Sequence, residues 1–296
     1  MFNNRKFLII GGTSKAGTTS LYTYLADHPQ ICPSALKETR FFLDSDYPLP
    51  VSQGFNENLD GYEAFFSECA TAEYNVLLEA TPDYLYSITA RRIAELLPNA
   101  KIVFILRDPI ERLVSWFKFA RQRGMLDSNV SFEHYVRQQL IRPVTHNTPV
   151  YLRALEQGLY LRYLAAFEAI MPDRLLILSY NHLKSDPASL MKVICDFAGL
   201  DQDIYNDYAF RVVNESKEVN FQTVEKLYVS IRRQIAYHVI HHKKLLAFFK
   251  YCNKPFKLLL NHNHQTHDKV EISDALMSEL QGFYAKELLF LKTVFN

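Results

Sequence analysis

The sequence predicts an α/β fold in which a central parallel sheet carries helices on both faces, followed by a helical C-terminal part. Three observations point there. Short apolar runs alternate with stretches of helical spacing over the first two hundred residues. Two of those runs end in abrupt turns, Gly11-Gly12 and Arg107-Asp108-Pro109. Beyond Phe221 the strand signal disappears and the chain reads as helices.

The elements follow in order. Phe7–Ile10 is an apolar run that breaks at Gly11-Gly12, as a buried parallel strand does before a loop. Thr18–Ala26 has helical character and ends before Pro29. Val76–Leu78 is a second short strand, and Ala90–Leu97 is a helix stopped by Pro98-Asn99. Lys101–Leu106 is the clearest strand, and Pro109 suits the first turn of a helix running to about Arg123. Arg174–Ser179 is a fourth strand, and Pro187–Phe197 a helix closed by Gly199. In such sheets ligands sit beyond the carboxyl ends of the strands. No repeat or low-complexity linker interrupts the chain, so residues 1–296 read as one domain, with a core over about 5–200 and a helical part over about 201–296.

Composition narrows the class. With 48% hydrophobic and 22% charged residues the chain is an ordinary globular protein, not a disordered or fibrous one. Lys and Arg number 33 against 32 Asp and Glu, which gives no basis for a nucleic-acid partner. Cys32, Cys69, Cys195 and Cys252 are widely spaced, without a C-x-x-C pair, and are expected as free thiols in a reducing compartment. The run Phe7–Ile10 is shorter than the roughly 7–15 residues of a signal-peptide core, and no stretch of about 18 apolar residues occurs. A cytoplasmic protein without a transmembrane segment is the expectation.

Two turns carry chemistry. Gly11-Gly12-Thr13-Ser14-Lys15-Ala16-Gly17-Thr18-Thr19-Ser20 joins the first strand to the first helix. Small residues let backbone N–H groups approach an anion, and the helix N-terminus adds a favourable dipole. Gly12 and Gly17 have the gap of a phosphate loop, so the fold resembles that of phosphate-loop NTPases. Yet Thr18 stands where a triphosphate enzyme has its lysine, and Lys15 lies inside the loop. This suits a shorter anionic group with no obligatory metal. At the second turn, Arg107 ends a strand and Ser115 lies about two helical turns further on. A guanidinium with a hydroxyl reads phosphate oxygens. A nucleotide with phosphates at both ends of its ribose fits two such sites.

These residues resemble a known family. S-K-A-G-T-T-S-L, K-E-T-R-F-F at 37–42 and R-D-P-I-E-R-L-V-S-W at 107–116 are similar to PAPS-dependent sulfotransferases, the heparan-sulfate type and its bacterial relatives above all. Further matches are G-Y-E-A-F-F at 61–66, E-A-T-P-D-Y at 79–84, G-L-Y-L-R-Y-L at 158–164, L-I-L-S-Y-N-H-L at 176–183 and the D-P…F-A-G-L segment at 186–200. The resemblance spans roughly residues 7–200. It implies that Lys15, Ala16, Gly17, Thr18, Thr19 and Ser20 hold the 5′-phosphosulfate of PAPS (3′-phosphoadenosine 5′-phosphosulfate), and that Arg107 and Ser115 hold the 3′-phosphate. It also implies Glu38 as general base, Lys15 on the leaving oxygen with Lys37 second, and no metal. Two departures stand out. Ala80 replaces a lysine common in relatives. The late basic loop over the 3′-phosphate is missing, leaving Arg211, Asn214, Ser216 and Lys217 as stand-ins.

The implied activity is transfer of a sulfuryl group from PAPS to a hydroxyl of a small-molecule (secondary metabolite) or saccharide acceptor. The alternatives are N-sulfation of an amine and an ATP–Mg-dependent small-molecule kinase. Residues 226–257 carry eight Lys and Arg and no acid, interleaved with apolar residues. This reads as a helix with a solvated basic face, or as a peripheral contact with an anionic membrane. His262, His264 and His267 read as a polar loop. His134, His146 and His182 have no motif context; a histidine base in place of Glu38 is the remaining alternative.

Overall fold

The computed structural model describes residues 5–49, 55, 58–59, 61–69, 74–211 and 270–295. Asn214, Ser216, Lys217, the basic segment 226–257, Cys252 and His262, His264 and His267 lie outside the described residues. The chain divides into two compact units, Met1–Arg107 with Leu161–Val213 and Val294–Asn296, and Asp108–Tyr160 with Asn214–Thr293.

The first unit holds a five-stranded parallel sheet formed by β1 (Lys6–Gly12), β2 (Ile31–Pro33), β3 (Val76–Ala80), β4 (Ala100–Leu106) and β5 (Leu175–Ser179), in the order β2-β3-β1-β4-β5. The chain leaves β1 toward one edge of the sheet and later crosses to the other, so β1 is the topological switch. Strand residues alternate between two buried faces, which is why these strands read as unbroken apolar runs. Leu8, Ile10, Leu78, Val103, Ile105 and Leu178 form one core with α1 (Thr18–Ala26), α6 (Tyr180–Ser185) and α7 (Pro187–Ala198). On the other face Phe7 packs on Tyr62 and Phe66, and Phe104 meets Phe167 of α5 (Tyr160–Ile170) edge-on. The predicted helix at 90–97 is α2 (Thr89–Leu96).

Two expectations need correction. The first strand does not break at Gly11-Gly12 but runs through both glycines, with an irregular register against β4 between Ile10 and Gly12. Glycine at position 11 lets the strand pass the aromatic ring of Phe104, since a Cβ there would sit 2.5 Å from it. The second concerns the cysteines. Cys32 and Cys69 form a disulfide, Cα–Cα 5.8 Å, which ties β2 to the short helical segment Glu63–Cys69; Cys195 is the buried free thiol. Strand β2 itself is missing from the sequence reading because three residues ending in proline make no recognisable apolar run.

In the second unit α3 (Pro109–Gln122) starts at Asp108, whose carboxylate accepts from the N–H groups of Ile110 and Glu111. The side chain of Arg112 is fully buried and donates to Ala154 O (2.9 Å) and Gln157 Oε1 (3.1 Å). Phe117 packs on Phe132 and Tyr135 of α4 (Phe132–Leu140). The C-terminal helices are α8 (Asp274–Phe283) and α9 (Ala285–Phe295); the Tyr284 hydroxyl between them donates to Leu155 O at 2.6 Å. No helix among the described residues is long and apolar enough to cross a membrane.

Candidate active site

The site is built at the carboxyl ends of the adjacent strands β3, β1 and β4. After β1 the chain turns through residues 13–17. The backbone N–H of Thr13 donates to Ile105 O (2.9 Å), which ties the start of the turn to β4. Gly17 caps α1 in the left-handed conformation, φ 88°, and a Cβ there would lie 2.7 Å from Leu183 Cδ2 and 3.2 Å from the Tyr180 ring. Only glycine meets both demands. Lys15 is left-handed too, φ 69°, and half-buried, whereas Ala16, Thr18 and Ser20 are buried. The N-terminal end of α1 presents its first N–H groups at this turn, with no acidic side chain in its first helical turn.

Arg107, at the end of β4, reaches the same loop. Its Nη1 donates to Lys15 O at 3.4 Å, and its guanidinium lies 4.6 Å from the Tyr180 ring centroid. The two predicted anion readers thus separate by unit. Arg107 touches the first loop, and Ser115 lies on α3 of the second unit, half-buried.

The third component is the stretch after β2. It crosses the end of β3, where Glu38 N donates to Ala80 O (2.8 Å) and Arg40 N to Thr81 Oγ1 (3.1 Å). Thr81 N in turn donates to Ile10 O of β1. Beneath it Glu79 is fully buried, its carboxylate accepting from the hydroxyls of Thr39 (2.5 Å), Tyr62 (2.7 Å), Thr81 (2.8 Å) and Tyr84 (2.8 Å). Burial pushes the Glu79 carboxyl up, and the hydroxyls oppose that rise. Glu79, Thr39 and Thr81 stand inside the K-E-T-R-F-F and E-A-T-P-D-Y stretches, but nothing in their spacing announces that one carboxylate gathers four hydroxyls.

Glu38 is held at both oxygens. Lys37 Nζ lies 3.2 Å from Oε1 and Arg40 Nη2 3.0 Å from Oε2, with the Glu38 side chain 32% exposed. Burial alone would raise its pKa, but the two cations outweigh it and bring it down to about 2. Lys37, the second candidate for stabilising the leaving oxygen, is therefore engaged with the candidate base. Arg40 was not singled out from the sequence, although it lies in the quoted run. Among the described residues the non-glycine residues with positive φ are Lys15, Glu38 (63°) and Arg40 (59°), all three in this site. Backbone strain of this kind gathers at functional sites. Of the alternative histidines, His134 and His146 are exposed in the second unit, and His182 is half-buried on α6.

Residues 8–204 match the family model of the sulfotransferase family. The chain belongs to that family. Over 207 residues it is 32% identical to the human bifunctional heparan sulfate N-deacetylase/N-sulfotransferase 2, a match covering 66% of this chain and 22% of that protein. The human N-deacetylase/N-sulfotransferase 3 is 32% identical over 208 residues, with the same shares covered. The chain thus spans about a fifth of the length of these curated relatives. The crystal structure of a sulfotransferase from Alicyclobacillus acidocaldarius aligns with a TM-score of 0.59 at 24% identity, covering 80% of this chain and 96% of that one, which shows the shared fold. In this sulfotransferase fold the glycine loop after β1 and the stretch 37–42 occupy neighbouring strand ends. None of these matches supports the kinase alternative.

Proposed function

We propose that this chain transfers a sulfuryl group from PAPS to a hydroxyl of a saccharide or small-molecule acceptor, giving a sulfate ester and adenosine 3′,5′-bisphosphate. The observation that carries the reading is the gathering, on three adjacent strand ends, of an ionised carboxylate, a glycine loop without a triphosphate lysine, and an arginine touching that loop. The acceptor oxygen attacks sulfur, and the bond from sulfur to the 5′-phosphate oxygen breaks. The hydroxyl proton passes to Glu38, and the departing electron pair stays on the phosphate oxygen, where Lys15 stabilises it. Thr18, Thr19, Ser20 and the N–H groups of Ala16 and Gly17 hold the 5′ end, and Arg107, from the same unit, reads the 3′-phosphate. A carboxylate as acidic as Glu38 is a weak base. It suits a loose transition state in which the leaving bond breaks ahead of proton transfer, by analogy with phosphoryl transfer.

The relatives' names include N-sulfotransferase, which favours a saccharide amine as the second acceptor class. We take the chain to act as one domain, without metal, and in the cytoplasm. The Cys32–Cys69 bond counts against the last point, because disulfides persist in oxidising compartments and are rare in reducing ones. Alkylation of the protein at cell lysis, followed by intact mass, decides whether it is bonded where it works.

The first test is thermal shift with adenosine 3′,5′-bisphosphate beside ATP–Mg²⁺ and AMP. At about 100 times its dissociation constant a ligand adds roughly 2.7 kcal/mol, a rise of several degrees for a chain of this size. A rise with the bisphosphate alone is expected and licenses an acceptor screen with PAPS. A rise with ATP–Mg²⁺ alone would sink the proposal.

A further inference from the structure

Arg40 has no role in the reading above, yet it is built into the site more firmly than Lys37. Its backbone N–H is held by Thr81, its guanidinium by Glu38 Oε2, and its side chain is 12% exposed against 23% for Lys37. Its backbone is left-handed, φ 59°, and its side chain reaches back to donate to Glu38, two positions earlier. A surface ion pair would not require a strained backbone at both partners.

We propose that Arg40 is a positioning residue for sulfuryl transfer, acting through Glu38: it fixes the carboxylate's direction and sets the pH range over which Glu38 can accept the acceptor's proton. This rests on the reading of Glu38 as the base. The ionisable partners that Glu38 contacts among the described residues lie in its own stretch. Lys37 and Arg40 face it from its own stretch. From β3 beneath, the titratable group is Glu79, whose oxygens are occupied by Thr39, Tyr62, Thr81 and Tyr84. With Arg40 in place the carboxylate stays ionised through mild acid. Without it, Lys37 still opposes the effect of burial but with less help, protonation moves upward, and the base is lost at a higher pH.

The experiment is the pH profile of kcat/KM for the wild type and for Arg40→Lys, Arg40→Gln and Arg40→Met, with Glu38→Gln alongside. The acidic limb of the Gln and Met variants should lie about one to three pH units above that of the wild type, while Lys should stay close to it. A ¹³C titration of the Glu38 carboxyl in the same proteins reads the shift without turnover. It needs only one of the neutral variants to fold. A purely structural role would lower activity equally at all pH values and leave the limb in place. If Glu38→Gln abolishes turnover but the limb and the carboxyl titration do not follow the charge at position 40, the Arg40 inference is overturned and the base survives. If Glu38→Gln keeps full turnover, the base reading itself has failed.

Discussion

The two loops that make the site are held in opposite ways. The turn after β1 is fixed by the backbone. Gly17 is left-handed, a strand carbonyl takes the N–H of Thr13, and a helix begins at once. The stretch over β3 is fixed by side chains that come together from distant parts of the sequence. Thr39 and Tyr62 converge with Thr81 and Tyr84 on the buried Glu79, and the charges of Glu38, Lys37 and Arg40 are held above it. The first loop offers N–H groups and a dipole, which suit an anion of fixed size. The second offers titratable groups, which suit proton transfer. On the proposed reading, the anion and its leaving oxygen belong to the first loop and proton transfer to the second, one strand apart.

The largest effect should come from dividing the two. Glu38→Gln keeps the shape of the second loop and removes its base, and kcat should fall about 10²–10⁴-fold. The bisphosphate thermal shift should persist. Lys15→Ala should lower kcat about 10²–10³-fold with a smaller change in nucleotide affinity, and Arg107→Ala should weaken nucleotide binding. Steady-state kinetics beside the thermal shifts would separate these outcomes. The division would collapse if Glu38→Gln lost the bisphosphate thermal shift together with turnover.

The same contrast explains what the sequence discloses. The first loop was legible from local spacing, because two glycines five apart between an apolar run and a helix are a short-range signal. The strands β1, β3, β4 and β5 were legible for the same reason. Glu38 was reached only through resemblance, since its neighbourhood depends on contacts with residues 79–84, some forty positions away. Arg40 and Glu79 lie within the K-E-T-R-F-F and E-A-T-P-D-Y motifs without a signal of their own, because a charge run looks alike whether it faces water or a buried carboxylate. The disulfide was misread by the same limit. Two cysteines 37 residues apart have no local signature, and only the placing of β2 beside the segment Glu63–Cys69 brings them together.

That bond closes a ring around the whole second loop, and the first loop lies outside it. In the chain-entropy account, a closure of this length is worth about 4 kcal/mol. Cys69→Ser, or reduction of the wild type, should lower Tm by about 8–16 °C. At a temperature where the variant remains folded, kcat/KM for the acceptor should drop more than the affinity for the bisphosphate. Equal losses in both would show that the two loops depend on one another and would remove the distinction. An unchanged Tm on reduction would mean that the bond contributes nothing to the fold.

The smallest effect tests the backbone-held loop on its own terms. Gly17→Ala forces a side chain into left-handed backbone and sets its Cβ against Leu183 and Tyr180. The expected cost is about 2 kcal/mol, read as a Tm lower by roughly 4–8 °C. Leu183 can move aside, so the fold should survive. The N–H groups that cap α1 cannot shift without leaving the anion, so bisphosphate affinity should fall by more than the loss of stability alone implies. The ¹³C titration of Glu38 should be untouched, because its cations and its anchor on Ala80 belong to the other loop. Movement of that titration would show that the strand ends are coupled through β1, which the first loop leaves directly and the second reaches through Thr81.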